Sequence, residues 1–349
     1  MSIGFAVLAL LPACKAYGTP IFDKKHYDAC ISTPLDAVMY VPYSENSFVS
    51  IPNDFTAGKR IALTKYSQIF PAFRLSDNKK VCLKMTLQVE GHDEFHREVC
   101  LLSAILNHPG IPEFIGIDVG RNFMGIVMEF VPGKNLKEIL DATTLQQKEK
   151  NWDLIPVLLR DIGSVLDWLH QNGLVYRDVK PDNIMVLPGR KTMKLIDFGY
   201  TGRSDRDEVA LCTPTFVSPE LYKQCSISGT PNPFSWSELQ NTDWYALGAT
   251  LYHLVTGEPL LANDKDEEMH KSMREGFDPD FLDNRGPYSA VLKGLLDRSV
   301  ATRWKWEQLE SWMKDNPSIW EPRDASLDDE PVEPTGFWIG VKSFLDKLF

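Results

Sequence analysis

Asp178, Asn183 and Asp197 fall in one short stretch, residues 174–199, LVYRDVKPDNIMVLPGRKTMKLIDFG. Asp178 is a carboxylate flanked by the cations Arg177 and Lys180, and Asn183 follows soon after. The apolar segments Ile184 to Val186 and Met193 to Ile196, separated by a turn at Pro188-Gly189, predict a hairpin that returns the chain to Asp197. Folding that hairpin gathers Asp178, Asn183 and Asp197 around one spot. A carboxylate beside an acceptor hydroxyl, with oxygen ligands for Mg²⁺ on phosphates, is the set that phosphoryl transfer from a nucleotide requires.

These side chains need a scaffold, and 349 residues, 43% of them hydrophobic, suffice for one two-lobed domain with extensions at both ends. The formal net charge of −11 argues against nucleic acid as a main partner and leaves basic substrates open. None of the cysteines (14, 30, 82, 100, 212 and 225) forms a close pair of the metal-binding kind, so the reading is a reduced, intracellular protein without disulfides, cytoplasmic or nuclear. The apolar run 3–13, IGFAVLALLPA, has no preceding Lys or Arg and is too short to span a bilayer. It reads as a buried strand or helix in preference to a secretory h-region.

Upstream of the catalytic stretch, IALTKYSQIF, FRL and VCLKMTL read as three strands. No glycine occurs between Gly58 and Gly91, and the turn is expected within TKYSQIFPAF, which contains Pro71. Residues 92–107 are helical by pattern, with Phe95, Val99, Leu102, Ile105 and Leu106 on one face and Glu98 beside it. IPEFIGIDVG and NFMGIVMEF are strands around Gly120-Arg121-Asn122. A long helix over 152–170 buries Ile155, Leu158, Leu159, Ile162, Leu166 and Leu169, and Gly173 stops it. Residues 221–242 read as a surface insertion rich in Gly, Pro and Ser. An acidic linker, DASLDDEPVEPTG, leads to an amphipathic last segment with Phe337, Val341, Phe344, Leu345 and Leu348 on one face. That segment suits docking on the domain itself or in a partner groove. With only Lys342 and Lys347 basic, membrane contact is the least favoured use.

The stretch 174–199 resembles the catalytic core of eukaryotic-type protein kinases, and the resemblance extends over roughly residues 59–315. The family's His-Arg-Asp is here Tyr176-Arg177-Asp178, with Tyr176 expected only to pack, and the metal loop Asp197-Phe198-Gly199 is intact. VCLK makes Lys84 the candidate for the lysine on the α- and β-phosphates, and Glu98 its partner, with Glu94 as fallback. GIVMEFVPGKNL is similar to the hinge that binds adenine, with Met128 in the gatekeeper place and Glu129 to Val131 as hinge. Ser218-Pro219-Glu220 matches Ala-Pro-Glu, Arg303 fits the arginine that pairs with Glu220, and Asp243 fits the aspartate that holds the catalytic-loop backbone. Lys180 and Thr213 favour serine or threonine as acceptor.

The resemblance implies an α+β, bilobal fold with a small β-rich N-lobe (59–130) and a large helical C-lobe (131–315), preceded by an extension of unknown role (1–58) and followed by the linker and helix (316–349). It implies ATP and Mg²⁺ as cofactors and a protein substrate. Asp178, Lys180, Lys84, Glu98 and Thr213 would then be catalytic; Lys84, Met128, Glu129, Val131, Asn183 and Asp197 would bind nucleotide, with Asn183 and Asp197 on the metal. Asp207 and Glu208 stand where they can supply Arg177 with negative charge in place of a phosphate, and Ser204 and Thr201 are alternative modification sites. Two rival readings stay open. One is a pseudokinase acting as a binding module, suggested by the missing glycines; the other is a small-molecule phosphotransferase of the same fold.

Overall fold

A computed structural model of the chain describes residues 20–32, 55–63, 67–87, 92–119, 123–203, 214–222, 236–261, 282–283 and 286–317. The apolar run 3–13, Ser204, Asp207, Glu208, Thr213 and the carboxy-terminal amphipathic segment lie outside the described residues.

The described chain opens with strand β1 (Ile21–Phe22) and helix α1 (Lys24–Ser32). An antiparallel sheet follows from β2 (Phe55–Ala57), β3 (Ala62–Leu63), β4 (Ser67–Arg74) and β5 (Lys80–Leu87). After helix α2 (His92–Ala104) and β6 (Ile105–Leu106), it is completed by β7 (Phe114–Val119) and β8 (Phe123–Glu129). Its order is β2-β4-β5-β8-β7, with β3 also on β4. Side chains alternate across a strand, so Val81 and Leu83 of β5 join Ala72 and Val127 in a small cluster on one face. Cys82 and Lys84 turn to the other face, where α2 buries Phe95, Val99, Cys100, Leu101 and Leu102.

Three local expectations are corrected here. Pro71 is not in a turn; it lies inside β4, opposite Cys82. Its carbonyl accepts from Gly58 N at 2.7 Å, so its missing N–H falls on the side where the neighbouring strand breaks between β2 and β3. Residues 64–66, between β3 and β4, lie outside the described residues. Ile105 and Leu106 do not continue α2. They leave it as β6 and pair with Phe22 and Ile21, a partner too remote in sequence for periodicity to reveal. The third correction concerns the cysteines. Cys30 of α1 and Cys100 of α2 are joined as a disulfide across 70 residues, and Cys82 is free.

The second part is mainly helical. Gly133, at φ +115°, opens it: a Cβ there would lie 2.0 Å from the Val186 carbonyl oxygen, so only glycine lets β9 (Lys134–Asn135) reach β11 (Ile184–Val186). Asn135 then caps α3 (Leu136–Asp141) in a capping box with Glu138. The expected long helix is one run made of α4 (Leu154–Val157), a π turn (Leu158–Ile162) and α5 (Gly163–Gln171). All six residues expected on its buried side are fully enclosed. Gly173, at φ +77°, turns the chain into β10 (Leu174–Val175).

Helix α6 (Trp236–Thr256) crosses beneath this run, and α7 (Ser289–Leu295) and α8 (Trp306–Asp315) close the core. The end of the expected surface insertion is thus helix, with Leu239, Asn241 and Thr242 buried. Polar SELQNT reads as a loop, yet its groups are satisfied inside: Gln240 Nε2 donates to His170 O at 3.3 Å and Thr242 Oγ1 to Leu239 O at 2.7 Å.

Candidate active site

The catalytic loop is anchored from below by one carboxylate. Asp243 Oδ1 accepts from Arg177 N at 2.7 Å, and its Oδ2 accepts from Tyr176 N at 2.8 Å and lies 2.9 Å from His170 Nε2. Arg177, at φ +71°, occupies the left-handed region, and so does Asp197 at φ +63°. Such conformations persist where surrounding bonds over-determine them, and here Asp243 fixes the first. Tyr176 does more than pack. Its ring meets Phe198 edge-on at 5.3 Å, and its hydroxyl donates to the Ile196 carbonyl. Burial raises its phenol well above the ordinary range, which keeps it a neutral donor.

Above that anchor the loop presents Asp178, only 6% exposed. Lys180 Nζ lies 2.7 Å from Asp178 Oδ2, and Asn183 Nδ2 donates to the same oxygen at 2.8 Å and to the Asp178 carbonyl at 3.0 Å. The hairpin of β11 and β12 (Met193–Leu195) then returns the chain, and Ile196 N donates to Asn183 O at 2.9 Å. That bond brings Asp197 back beside the loop.

From the sheet side, Lys84 Nζ lies 2.6 Å from Glu98 Oε2 and 2.7 Å from Asp197 Oδ1. Burial alone would lower the Lys84 ammonium, but Asp197 and Glu98 outweigh it and hold it well above its usual range. Burial works to raise the Asp197 carboxyl, and Lys84 overcomes that and lowers it. Glu98 is 2% exposed and also accepts from Phe198 N at 3.3 Å through Oε1, so α2 holds both the lysine and the metal loop. Arg97 Nε adds a bond to Gly199 O at 3.3 Å. Neither contact was expected from sequence, since only the tertiary fold brings α2 to residues 198–199. The side chain of Glu94 lies outside the described residues.

The donor set fits a divalent hard cation, which takes oxygen ligands. Lys84 and Gly199 N both bond Asp197 through Oδ1. Asp197 and Asn183 are the residues that would supply oxygen ligands to such an ion.

Of the residues expected at the hinge, Met128 and Val131 are buried. The Glu129 carboxylate lies 2.7 Å from Lys194 Nζ through each oxygen, and its amide donates to Glu113 O at 2.8 Å, so its backbone has no donor left for a ligand. The Asn135 side chain accepts from Glu138 N at 2.7 Å. Beside Asp178 a recess is lined by Val179, Phe216, Val217 and Leu221. Thr201 is 1% exposed, its hydroxyl 3.4 Å from Tyr176 O, which removes it as an accessible modification site.

The family model described as "Protein kinase domain" matches residues 55–311. Among curated relatives, serine/threonine-protein kinase pak-2 of Caenorhabditis elegans is 27% identical over 272 residues, covering 74% of this chain and 48% of that protein. Inhibitor of nuclear factor kappa-B kinase subunit beta of Rattus norvegicus is 26% identical, covering 75% of this chain and 35% of that protein. An Aurora kinase of Eremothecium gossypii is 23% identical, covering 76% and 71%. The chain thus spans less than half the length of the first two. With a β-rich first part, a helical second part and that match over most of its length, the chain belongs to the protein kinase family and has its bilobal fold.

Proposed function

We propose that this protein transfers the γ-phosphoryl group of ATP to serine or threonine hydroxyls of protein substrates. The observation that carries the reading is Lys84, held between Glu98 and Asp197 at 2.6 and 2.7 Å. A lysine so placed meets the α- and β-phosphates as a fixed cation, with Glu98 setting its position. Asp178 orients the acceptor hydroxyl and takes its proton, and Lys180 steadies the γ-phosphate. Asp197 and Asn183 hold Mg²⁺, which when bound neutralises charge on the phosphates. Met128, Glu129 and Val131 line the adenine side. Little covalent chemistry falls to the protein, so positioning and charge carry the rate.

Acceptor choice rests on Lys180 and Thr213, together with the serine/threonine kinase named among the relatives. The catalytic unit in this proposal is residues 59–315, with 1–58 and 316–349 as extensions and the carboxy-terminal segment docking on the domain or a partner. A kinase reading suits the cytoplasm or nucleus, where ATP is abundant. One observation favours the binding-module reading: no glycine stands between Gly58 and Gly91 to let backbone close on phosphate.

The two readings part on Asp178→Asn. Transfer to a protein substrate should fall by about 10²–10⁴, the worth of a positioned base, while nucleotide binding persists. Asp197→Asn should remove Mg²⁺-dependent ATP binding. Full activity in Asp178→Asn would overturn the assignment of the active site. Absence of transfer by the unmodified protein on a peptide array would favour the binding module.

A further inference from the structure

We propose that Cys30 and Cys100 form a redox modification site that fastens the amino-terminal helix α1 onto α2, so that thiol chemistry outside the cleft governs how firmly α2 is held in place. Its link to nucleotide binding rests on the reading of Lys84 and Glu98 given above.

The two sulfurs are bonded, on Cα atoms 5.5 Å apart, a separation a disulfide bridges without moving backbone. Cys100 is fully buried and Cys30 nearly so, with Tyr27 of the same α1 face buried beside them. Cys100 sits half a turn beyond Glu98 on α2, so whatever holds Cys100 also holds the residue on Lys84. Helix α1 has a second grip. Asp28 pairs with Arg203 of β13 (Gly202–Arg203), and β13 lies antiparallel to β10, directly before the catalytic loop. Arg203 O in turn lies 3.5 Å from Arg177 Nη2. One nine-residue helix therefore touches both the lysine-partner helix and the segment after the metal loop.

Without these ties α1 would be weak. Helices this short are marginal in water, and it is held at its start by Asp23, whose side chain accepts from His26 N at 3.0 Å and whose amide donates to Ala104 O at 2.8 Å. The disulfide is the one covalent tie among the described residues. His96 lies beside the pair: its Nε2 donates to Cys30 O at 3.2 Å, and one of its ring nitrogens lies within 4.8 Å of both sulfurs.

The chemistry is thiol–disulfide exchange with a second thiol couple. On closing, one thiol loses its proton and its thiolate attacks a low-molecular-weight disulfide, releasing one thiol. The other cysteine then displaces the second, so two protein thiols are oxidised as one external disulfide is reduced to two thiols. A dithiol reverses both steps. In a reducing compartment such bonds are usually transient and redox-sensing, so the pair suits a switch. The same Cys30, His96 and Cys100 set has metal-ligand types, but two sulfurs bonded to each other cannot both bind an ion.

The test uses the full chain, purified without reductant, and compares oxidised glutathione with dithiothreitol. Peptide mapping after blocking free thiols should find the Cys30 and Cys100 peptides joined, and separated by the dithiol. Amide exchange across 24–32 and 92–104 should then quicken at least about tenfold. Cys30→Ser and Cys30→Ala, both on the lesser-buried partner, should match the reduced protein and ignore oxidant. ATP affinity should weaken severalfold on reduction. The proposal is overturned if the peptides are never joined, if exchange over 92–104 ignores redox state, or if zinc co-purifies at one per chain and only a chelator frees the thiols. Quickened exchange with unchanged ATP affinity would uphold the clamp and overturn the Lys84–Glu98 reading instead.

Discussion

Arg303 and Glu220, 83 residues apart in the chain, meet through two bonds, Nη1 to Oε1 at 2.6 Å and Nη2 to Oε2 at 3.0 Å. The guanidinium is fully enclosed, 5.1 Å over the Tyr245 ring, and also donates to the carbonyls of Asn241 and Asp297. The pair ties the segment after the catalytic cleft to the far end of the helical part. Removing one partner leaves a buried charge, so Glu220→Gln should cost about 3–5 kcal/mol. The urea midpoint should fall with an unchanged slope; a loss below about 1 kcal/mol would show that the remaining carbonyls satisfy Arg303 alone.

The second expectation concerns nucleotide. No glycine stands between Gly58 and Gly91, where glycines would let backbone approach phosphate. ATP with Mg²⁺ should bind more weakly than is ordinary for the family. Calorimetric titration measures this directly, and low-micromolar affinity would mean the backbone reaches phosphate by another route.

A third follows from His108. Burial lowers its pKa from 6.5 to about 4, with Lys194 adding to the shift, and its Nδ1 accepts from Gly110 N at 3.1 Å. His253 is likewise lowered to about 4, by burial first and then Lys137. The unfolded chain therefore binds protons between pH 6.5 and 4 that the folded chain refuses. Stability contributed by these groups is complete above pH 6.5 and declines as pH falls toward 4, by roughly 1–3 kcal/mol for each. His108→Asn keeps a short acceptor for the Gly110 amide and should flatten part of the melting-temperature decline over that window. An unchanged pH profile in the variant would count against the assignment.

A fourth concerns Cys82, the free thiol on β5 beside Lys84. Burial pushes it up to about 11, against an opposing pull from Lys84. At pH 8 its thiolate fraction should be on the order of 100-fold below that of an ordinary cysteine. Peptide-resolved iodoacetamide kinetics on folded protein should show that lag, and a rate as fast as in urea would contradict it.

The sequence by itself determined what short-range chemistry can specify. The spacing of Asp178, Asn183 and Asp197 needs only a tight loop and one hairpin, and β11 and β12 lie where apolar segments flank Pro188-Gly189. The six enclosed residues of the 154–171 run follow from helical period alone, because a buried stripe repeats within a few residues. Tertiary structure decided whatever depends on partners far along the chain. It placed Pro71 inside β4 opposite a broken neighbour, turned Ile105 and Leu106 into a strand on β1, and continued SELQNT as helix under the catalytic loop. It also joined Cys30 to Cys100 and brought Glu98 to Phe198. Each of these is a contact whose energy appears only once distant segments pack, so no local pattern of residues carries its signal.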